Sequence, residues 1–485
     1  MITLKIALKE IRDALSKLLK RVWRWWSKNW FYTTLIAVAV IGGVCAFLVV
    51  PFAVPQPFSK DDSISALRQA VLVATGGVLA ILTLWENRRK NDQEHMRQVH
   101  AERRARYAKA VEQLADDKSA IRLGGVYTLA KLVDDWLDDE KTLPSMEKRC
   151  QEGQIIIDSL CAYIRSSFPL AERHDELTLN YEEYQQKYQD NQGKNQATQS
   201  VENSVDNSTP KAEHQDNKQS HQSREEFVRD KSLFREEQEV RQTILSEIKK
   251  QLNSGEVERE NGNHEIEPGT WSYFKYDFSK AVFFYHVGFR NSYFGASLNF
   301  SEAEFAAGAD FSRAKFTKGT DIYWCTDFSR TKFTRYASFS EAEFAAGANF
   351  PEAEFTGNAD FSEAEFTGNA NFPEAEFAAG ADFSWAEFTR KARFGRAEFA
   401  KGAKFFEATF EYKPEFEYTL DNKTYKARFS SKANPEDYNF KVSYDSPYKI
   451  ETEEQKHNGI KFIIPKGTEL FDPDKSYDLE DNEDI

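Results

Sequence analysis

Glutamate recurs at a fixed spacing in the second half of this 485-residue chain. Glu343, Glu354, Glu365 and Glu376 stand eleven residues apart, and Glu341, Glu352, Glu363 and Glu374 repeat the interval two residues earlier. Eleven acids and no base lie between residues 337 and 389. A basic collar follows at once, with Arg390, Lys391, Arg393 and Arg396, then Lys401 and Lys404. Paired carboxylates can act as the acid and base of a glycosidase, but that chemistry needs two of them across one substrate site. A strict period instead multiplies carboxylates along a surface. Such a stripe is either an electrostatic docking face for a basic partner or a solvated face copied by duplication, since stacked like charges cost stability unless solvated. The eight glutamates are the candidate partner-binding stripe, and no residue is assigned to catalysis.

Other chemistry finds little support. Cys45, Cys150, Cys161 and Cys325 are scattered and form no CxxC, so neither a disulfide framework nor a zinc site is implied. The eight histidines do not cluster with carboxylates at metal spacing. GxGxxG, Walker A, GxSxG and HExxH are all missing from the sequence, so no cofactor, metal or small-molecule substrate is expected. A net charge of −14 argues against a nucleic-acid partner.

The stripe rides on a second repeat. Phe returns every five, then six, residues from Phe278 to Phe316 and again from Phe328 to Phe410. Ala stands two before nearly every Phe from Phe305 onward. One large and one small apolar residue per unit fit neither a helix face nor a simple strand; they fit a coil that turns a corner once per unit. The extra residue in alternate units is Gly or Asn (Gly308, Gly347, Asn358, Asn369, Gly380), which predicts a bulge with positive φ at alternate corners. One irregular unit, 322–328, breaks the beat.

The motif, as in Ala359-Asp360-Phe361, resembles the pentapeptide repeat, Ala-(Asp/Asn)-(Leu/Phe)-x-x, over residues 272–410. The resemblance implies a right-handed quadrilateral β-helix, an all-β solenoid of roughly six coils stacked at the ~4.8 Å spacing of a β ladder. Some soluble members of that family resemble DNA in shape and occupy topoisomerases; the basic collar and a membrane anchor disfavour that alternative here.

The anchor is read at the other end of the chain. Residues 31–53 and 64–85 are long and apolar enough to span a bilayer, and ten residues connect them. Gly42-Gly43 and Gly76-Gly77 are available for close helix contact. Residues 1–30 hold eight basic and two acidic side chains, and residues 86–110 hold eight and four. By the positive-inside rule both termini are cytoplasmic. Residues 1–30 read as a basic amphipathic helix on the inner leaflet, and Trp23, Trp25, Trp26, Trp30 and Trp85 as an interfacial belt.

Between anchor and solenoid, residues 86–168 read as a cytoplasmic helical module. Tyr107, Val111 and Leu114 supply an apolar stripe, and Gly124-Gly125 marks a close approach. The stretch from Arg106 to Leu132 resembles a HEAT-type hairpin that follows the second span in bacterial two-transmembrane-helix pentapeptide-repeat-containing membrane proteins. Residues 169–235 read as a disordered polar linker, 236–253 as the module's final helix, and 411–485 as a cap with an acidic tail. The expectation is a membrane α-helical hairpin, a small HEAT-like module and a β-solenoid in the bacterial inner membrane, acting as a scaffold for a protein partner without catalysis. The alternative is a membrane effector whose hairpin perturbs the bilayer.

Overall fold

The computed structural model describes residues 30–50, 63–189, 223–258, 264–317 and 326–474. The chain forms two compact units, Met1–Arg104 and Ala105–Ile485. The amphipathic segment 1–29, the hairpin loop and the acidic tail from residue 475 lie outside the described residues.

The first unit holds helix α1 (Trp30–Val49), whose last turn is π-helical, and the start of helix α2 (Ser63–Leu114). Both are long and apolar enough to cross a membrane. They pack where Gly42 meets Thr75: a Cβ on Gly42 would lie 2.4 Å from the Thr75 side chain. Gly43, Gly76 and Gly77 face open space, so the expected double glycine contact reduces to one. Trp30 and Trp85 meet edge to face at 6.2 Å, and Lys90 Nζ reaches the Tyr32 hydroxyl at 3.5 Å.

The second unit begins with the end of α2, then α3 (Ser119–Leu137) and α4 (Met146–Arg165). Gly125 explains itself. A Cβ there would lie 2.8 Å from the Ala110 carbonyl oxygen, so the α2 backbone crosses α3 at a point no side chain fits. The buried stripe of α2 is Ala110 and Leu114, while Val111 faces out, contrary to expectation. The cause is this crossing, which turns the small residue inward.

The expected disordered linker over 169–235 is ordered at both ends. Pro169–Arg173 and His174–Leu177 form short helices, residues 181–189 form another, and α5 runs over Arg224–Gln251, well before residue 236. Its start is fixed by a capping box between Ser223 and Glu226. Phe227, Phe234, Val240, Ile244 and Ile248 bury one α5 face, and Tyr184 stacks on Phe227 at 4.7 Å. The polar composition concealed a sparse heptad-like stripe of anchors. Residues 190–222 lie outside the described residues.

From Tyr276 the chain winds through four parallel sheets, called here faces 1 to 4 in chain order. They begin at Tyr276–Asp277, Val282–Phe283, Val287–Gly288 and Tyr293–Phe294. Successive coils pair residues 22 apart, as Phe355 with Phe377 and Phe366 with Phe388. Four phenylalanine columns fill the interior. Phe339, Phe361, Phe383 and Phe405 stack at 4.9, 4.9 and 5.0 Å, within 7° of parallel. Rings of adjacent columns meet edge to face, as Phe350 on Phe361 at 5.5 Å and 87°. Both geometries suit the aromatic quadrupole.

The left-handed corners are not where glycine predicted them. Of the five inserted residues only Gly308 has positive φ, at 95°. The corners use the second residue after alternate phenylalanines: Lys280, Asn291, Glu302, Arg313, Arg330, Glu341, Glu352, Glu363, Glu374, Trp385, Arg396 and Glu407, with φ from 55° to 62°. Each closes a tight turn, as where Ala364 N–H donates to the Phe361 carbonyl at 3.2 Å. The preceding Asp or Asn supports it. Asp360 Oδ1 accepts from the Ser362 N–H at 3.0 Å, and Asp382 from Ser384 at 2.9 Å. Glycine serves a different need. A Cβ on Gly357 or Gly368 would fall within 2.3 Å of the backbone of the coil beneath.

The irregular unit does not interrupt the columns. Across it the pairing step is 28 residues instead of 22 (Phe316 against Phe344), yet Phe300 stacks on Phe328 at 5.2 Å and 13°. Residues 318–325 lie outside the described residues.

Both ends of the solenoid are covered. At the start, Trp271 is fully buried and donates to Asp134 of α3 at 3.0 Å, while Phe274 abuts Gly153 of α4. At the far end faces 2 and 3 gain the strands Arg428–Ser430, Glu469–Phe471 and Tyr438–Asn439. The hairpin Thr452–His457/Ile460–Pro465 buries Phe462 and Ile464 there. One apolar core runs from Ala110 to Ile464.

Candidate interaction surface

The period of eleven against a coil of 22 splits the glutamates between two sides. Glu343 and Glu365 project from face 4, in one ladder with Lys315, Glu387 and Thr409. Glu354 and Glu376 project from face 2, in a ladder with Glu304, Lys332, Glu398 and Arg428. Glu341 and Glu363 occupy the left-handed corner between faces 3 and 4, and Glu352 and Glu374 the corner between faces 1 and 2. Of the eight, Glu341, Glu352, Glu363, Glu365 and Glu376 are exposed and Glu343, Glu354 and Glu374 half-buried.

The two sides differ in electrostatics. At the corner of faces 1 and 2 nearly every acid has a base one coil away. Arg330 donates two bonds to Glu352, at 2.9 and 3.1 Å, which holds that carboxyl below the usual range. Lys332 pairs with Glu354 at 3.2 Å, Arg396 with Glu374 at 3.1 Å and Arg428 with Glu398 at 2.6 Å. These residues line an open groove of about 570 Å³. On face 4 the pairing stops low. Lys315 holds Glu343 at 2.8 Å and Arg313 holds Glu341 at 3.4 Å, but above them Glu363, Glu365 and Glu387 have no ion pair among the described residues.

The collar is largely spent within the fold. Lys391 and Arg393 share Glu415 at 3.0 and 3.2 Å, Arg393 also donates to Asn371 at 2.8 Å, and Arg396 holds Glu374. Arg390 stands exposed beyond Phe388 with no partner among the described residues. The neutralising bases Arg313, Lys315, Arg330 and Lys332 were not singled out in the sequence. Their signal was phase: each sits one coil before its acid, at a step of 28 or 22 residues.

Mid-ladder carboxyls titrate high. Partial desolvation against the sheet, then the neighbouring Glu343 and Glu387, raise Glu365 although its side chain is largely exposed; partial desolvation, then Glu398 and Glu354, raise Glu376 in the same way. A carboxyl raised on folding binds its proton more tightly in the folded state. The charge therefore destabilises the solenoid as pH rises through the folded pKa, and not below the unfolded value of 4.5. Glu365→Gln is expected to raise the urea midpoint at pH 7 and to leave it unchanged near pH 4. An equal or lower midpoint at pH 7 would show that the ladder is fully solvated.

Among the described residues no group of His, Cys, Asp and Glu is placed to hold a metal ion. Comparison with known proteins finds residues 318–365 and 361–409 matching the family model for pentapeptide repeats (9 copies). No curated protein and no solved structure matches the chain. With four parallel sheets, Phe columns and this match together, the repeat region of the chain is a pentapeptide-repeat β-solenoid.

Proposed function

We propose that this protein is a membrane-anchored scaffold. The hairpin of α1 and α2 crosses a bacterial inner membrane with both termini in the cytoplasm, and a right-handed quadrilateral solenoid presents charge to a protein partner without catalysing a reaction. The observation that carries the reading is the surface of the helix pair. Ile36, Val73, Ile81 and Leu84 are each more than 60% exposed, and the apolar window of α2 is 0% buried within the fold. Continuous apolar surface of this kind belongs in lipid. Basic residues on both outer flanks orient it. The solenoid supplies the other half of the role: a rigid stacked core displays outward side chains at fixed ~4.8 Å steps.

Topology labelling tests the anchor. In a chain freed of native cysteines, a thiol probe applied outside intact cells is expected to react at Ser59→Cys and not at Ser254→Cys. Reaction at position 254, or at neither position until the cells are lysed, would overturn the hairpin.

A further inference from the structure

The corner between faces 3 and 4 breaks its own pattern in one coil. Its left-handed position is held in turn by Asn291, Arg313, Glu341, Glu363, Trp385 and Glu407. The charged members lose nothing by pointing outward. Trp385 adopts φ 62° and is 55% exposed. One coil above, Phe406 takes the place that Ser340, Ser362 and Ser384 hold below, and is 38% exposed. Trp385 N–H donates to the Phe406 carbonyl at 2.8 Å, and the rings meet edge to face at 5.9 Å. The column phenylalanines are buried, whereas Trp385 and Phe406, like Tyr336 at 52%, stand outside the columns, and a left-handed backbone disfavours a bulky side chain such as that of Trp385. An exposed aromatic pair on a backbone that disfavours bulk, outside the core columns, marks a surface kept for contact.

The charge around the pair names its occupant. Glu363 lies one coil below Trp385 and Glu407 one coil above, while Glu365 and Glu387 project from the adjoining face 4. None of the four is ion-paired among the described residues, whereas at the opposite side Glu352, Glu354, Glu374 and Glu398 are held by Arg330, Lys332, Arg396 and Arg428, with Glu376 left without an ion pair among the described residues. An indole face attracts a cation, and a guanidinium both stacks on it and pairs with carboxylates beside it. We propose that Trp385 and Phe406, rimmed by Glu363, Glu365, Glu387 and Glu407, dock an arginine-bearing cationic segment of a partner protein. This rests on the reading of the solenoid as an interaction surface, and it moves the site to one corner.

The test uses the purified full-length chain and a fluorescent synthetic peptide of alternating Arg and Gly, followed by anisotropy. Binding is expected at about 0.05 M salt and to weaken steeply by about 0.5 M. Trp385→Ala is expected to weaken it about tenfold, Trp385→Phe by less, and an alternating Lys-Gly peptide should bind more weakly than the Arg peptide. Glu363→Gln with Glu387→Gln should also weaken it. The control set Glu352→Gln, Glu354→Gln and Glu374→Gln should leave it unchanged. Binding lost with the rim changes but indifferent to Trp385→Ala would overturn the aromatic site while leaving charge-based docking intact. Equal losses at both corners would overturn the location. No binding of the Arg peptide at low salt would overturn the inference and the charge-based interaction together, while the labelling result above would decide the anchor separately.

Discussion

Phe361→Ala is expected to lower the stability of the solenoid by about 3–5 kcal/mol, the range for emptying an aromatic core site. Phe361 is fully buried, with Phe339 and Phe383 stacked at 4.9 Å on either side and Phe350 and Phe372 edge-on at 5.5 and 5.4 Å. Its removal leaves a cavity that cannot collapse. The backbone on all sides is pinned by ladder hydrogen bonds, such as Phe361 N–H to the Asp382 carbonyl at 2.7 Å. Glu363→Ala, two residues on, is expected to change stability by less than about 0.5 kcal/mol. Its side chain is exposed and has no ion pair, and glutamate and alanine at position 363 meet the same left-handed φ of 58°. Denaturant unfolding of both variants reads the contrast, and equal effects would mean that inward and outward faces are misassigned.

The second large effect is expected where the helices cap the solenoid. Arg241 of α5 is 2% exposed, yet every group on it is used. It donates to Glu237 at 2.6 Å, to the Ile164 carbonyl at 2.7 Å and to the Ser166 carbonyl at 2.9 Å. Its guanidinium lies 5.6–6.0 Å from the rings of Tyr163, Phe168 and Phe284. Glu237 also accepts from the Tyr163 hydroxyl at 3.0 Å and faces Arg122 at 3.5 Å. Burial first, then the Glu237 charge, pushes the Tyr163 phenol well above its ordinary value, so it stays a donor. Arg241→Met keeps the volume but leaves the buried Glu237 carboxylate with only the 3.5 Å contact to Arg122 and the Tyr163 hydroxyl, and is expected to cost about 3–5 kcal/mol. Combining it with Glu237→Leu should cost clearly less than the sum of the two single changes. By contrast Arg165→Ala, which breaks a half-exposed pair with Asp277, should cost no more than about 1 kcal/mol through that pair. Strict additivity in the Arg241/Glu237 cycle would show that the charges are not coupled.

These two sites were unequally visible in the sequence. Phe361 was legible because its period is local: five or six residues fix which side chain turns inward, and each coil repeats the instruction. Arg241 was not, because its partners Ile164, Ser166 and Phe284 lie far off in the chain and meet only when α5 seats against α4 and the first coil. The same division holds for the candidate surface. The spacing of Glu343, Glu354, Glu365 and Glu376 alone sent them to two sides of a 22-residue coil. Which of them is paired depended on what lies one coil away: Glu343 meets Lys315 at a step of 28 and Glu354 meets Lys332 at 22, while Glu365 and Glu376 meet only other carboxylates in their ladders.

The sequence by itself determined the solenoid, the apolar helices and the presence of charge ladders, since each arises from a short-range repeat of residue size or polarity. The tertiary structure decided which corners are left-handed, which glycines are needed for close approach, and that residues 169–189 and 224–235 are ordered. It also decided that Glu352, Glu354, Glu374 and Glu398 on one side are neutralised while the acids beside Trp385 are not. These depend on which particular residues come to lie one coil above, one coil below or across a helix crossing, and a repeat that fixes the step does not fix whether the residue met there is a base, an acid or a bulky ring.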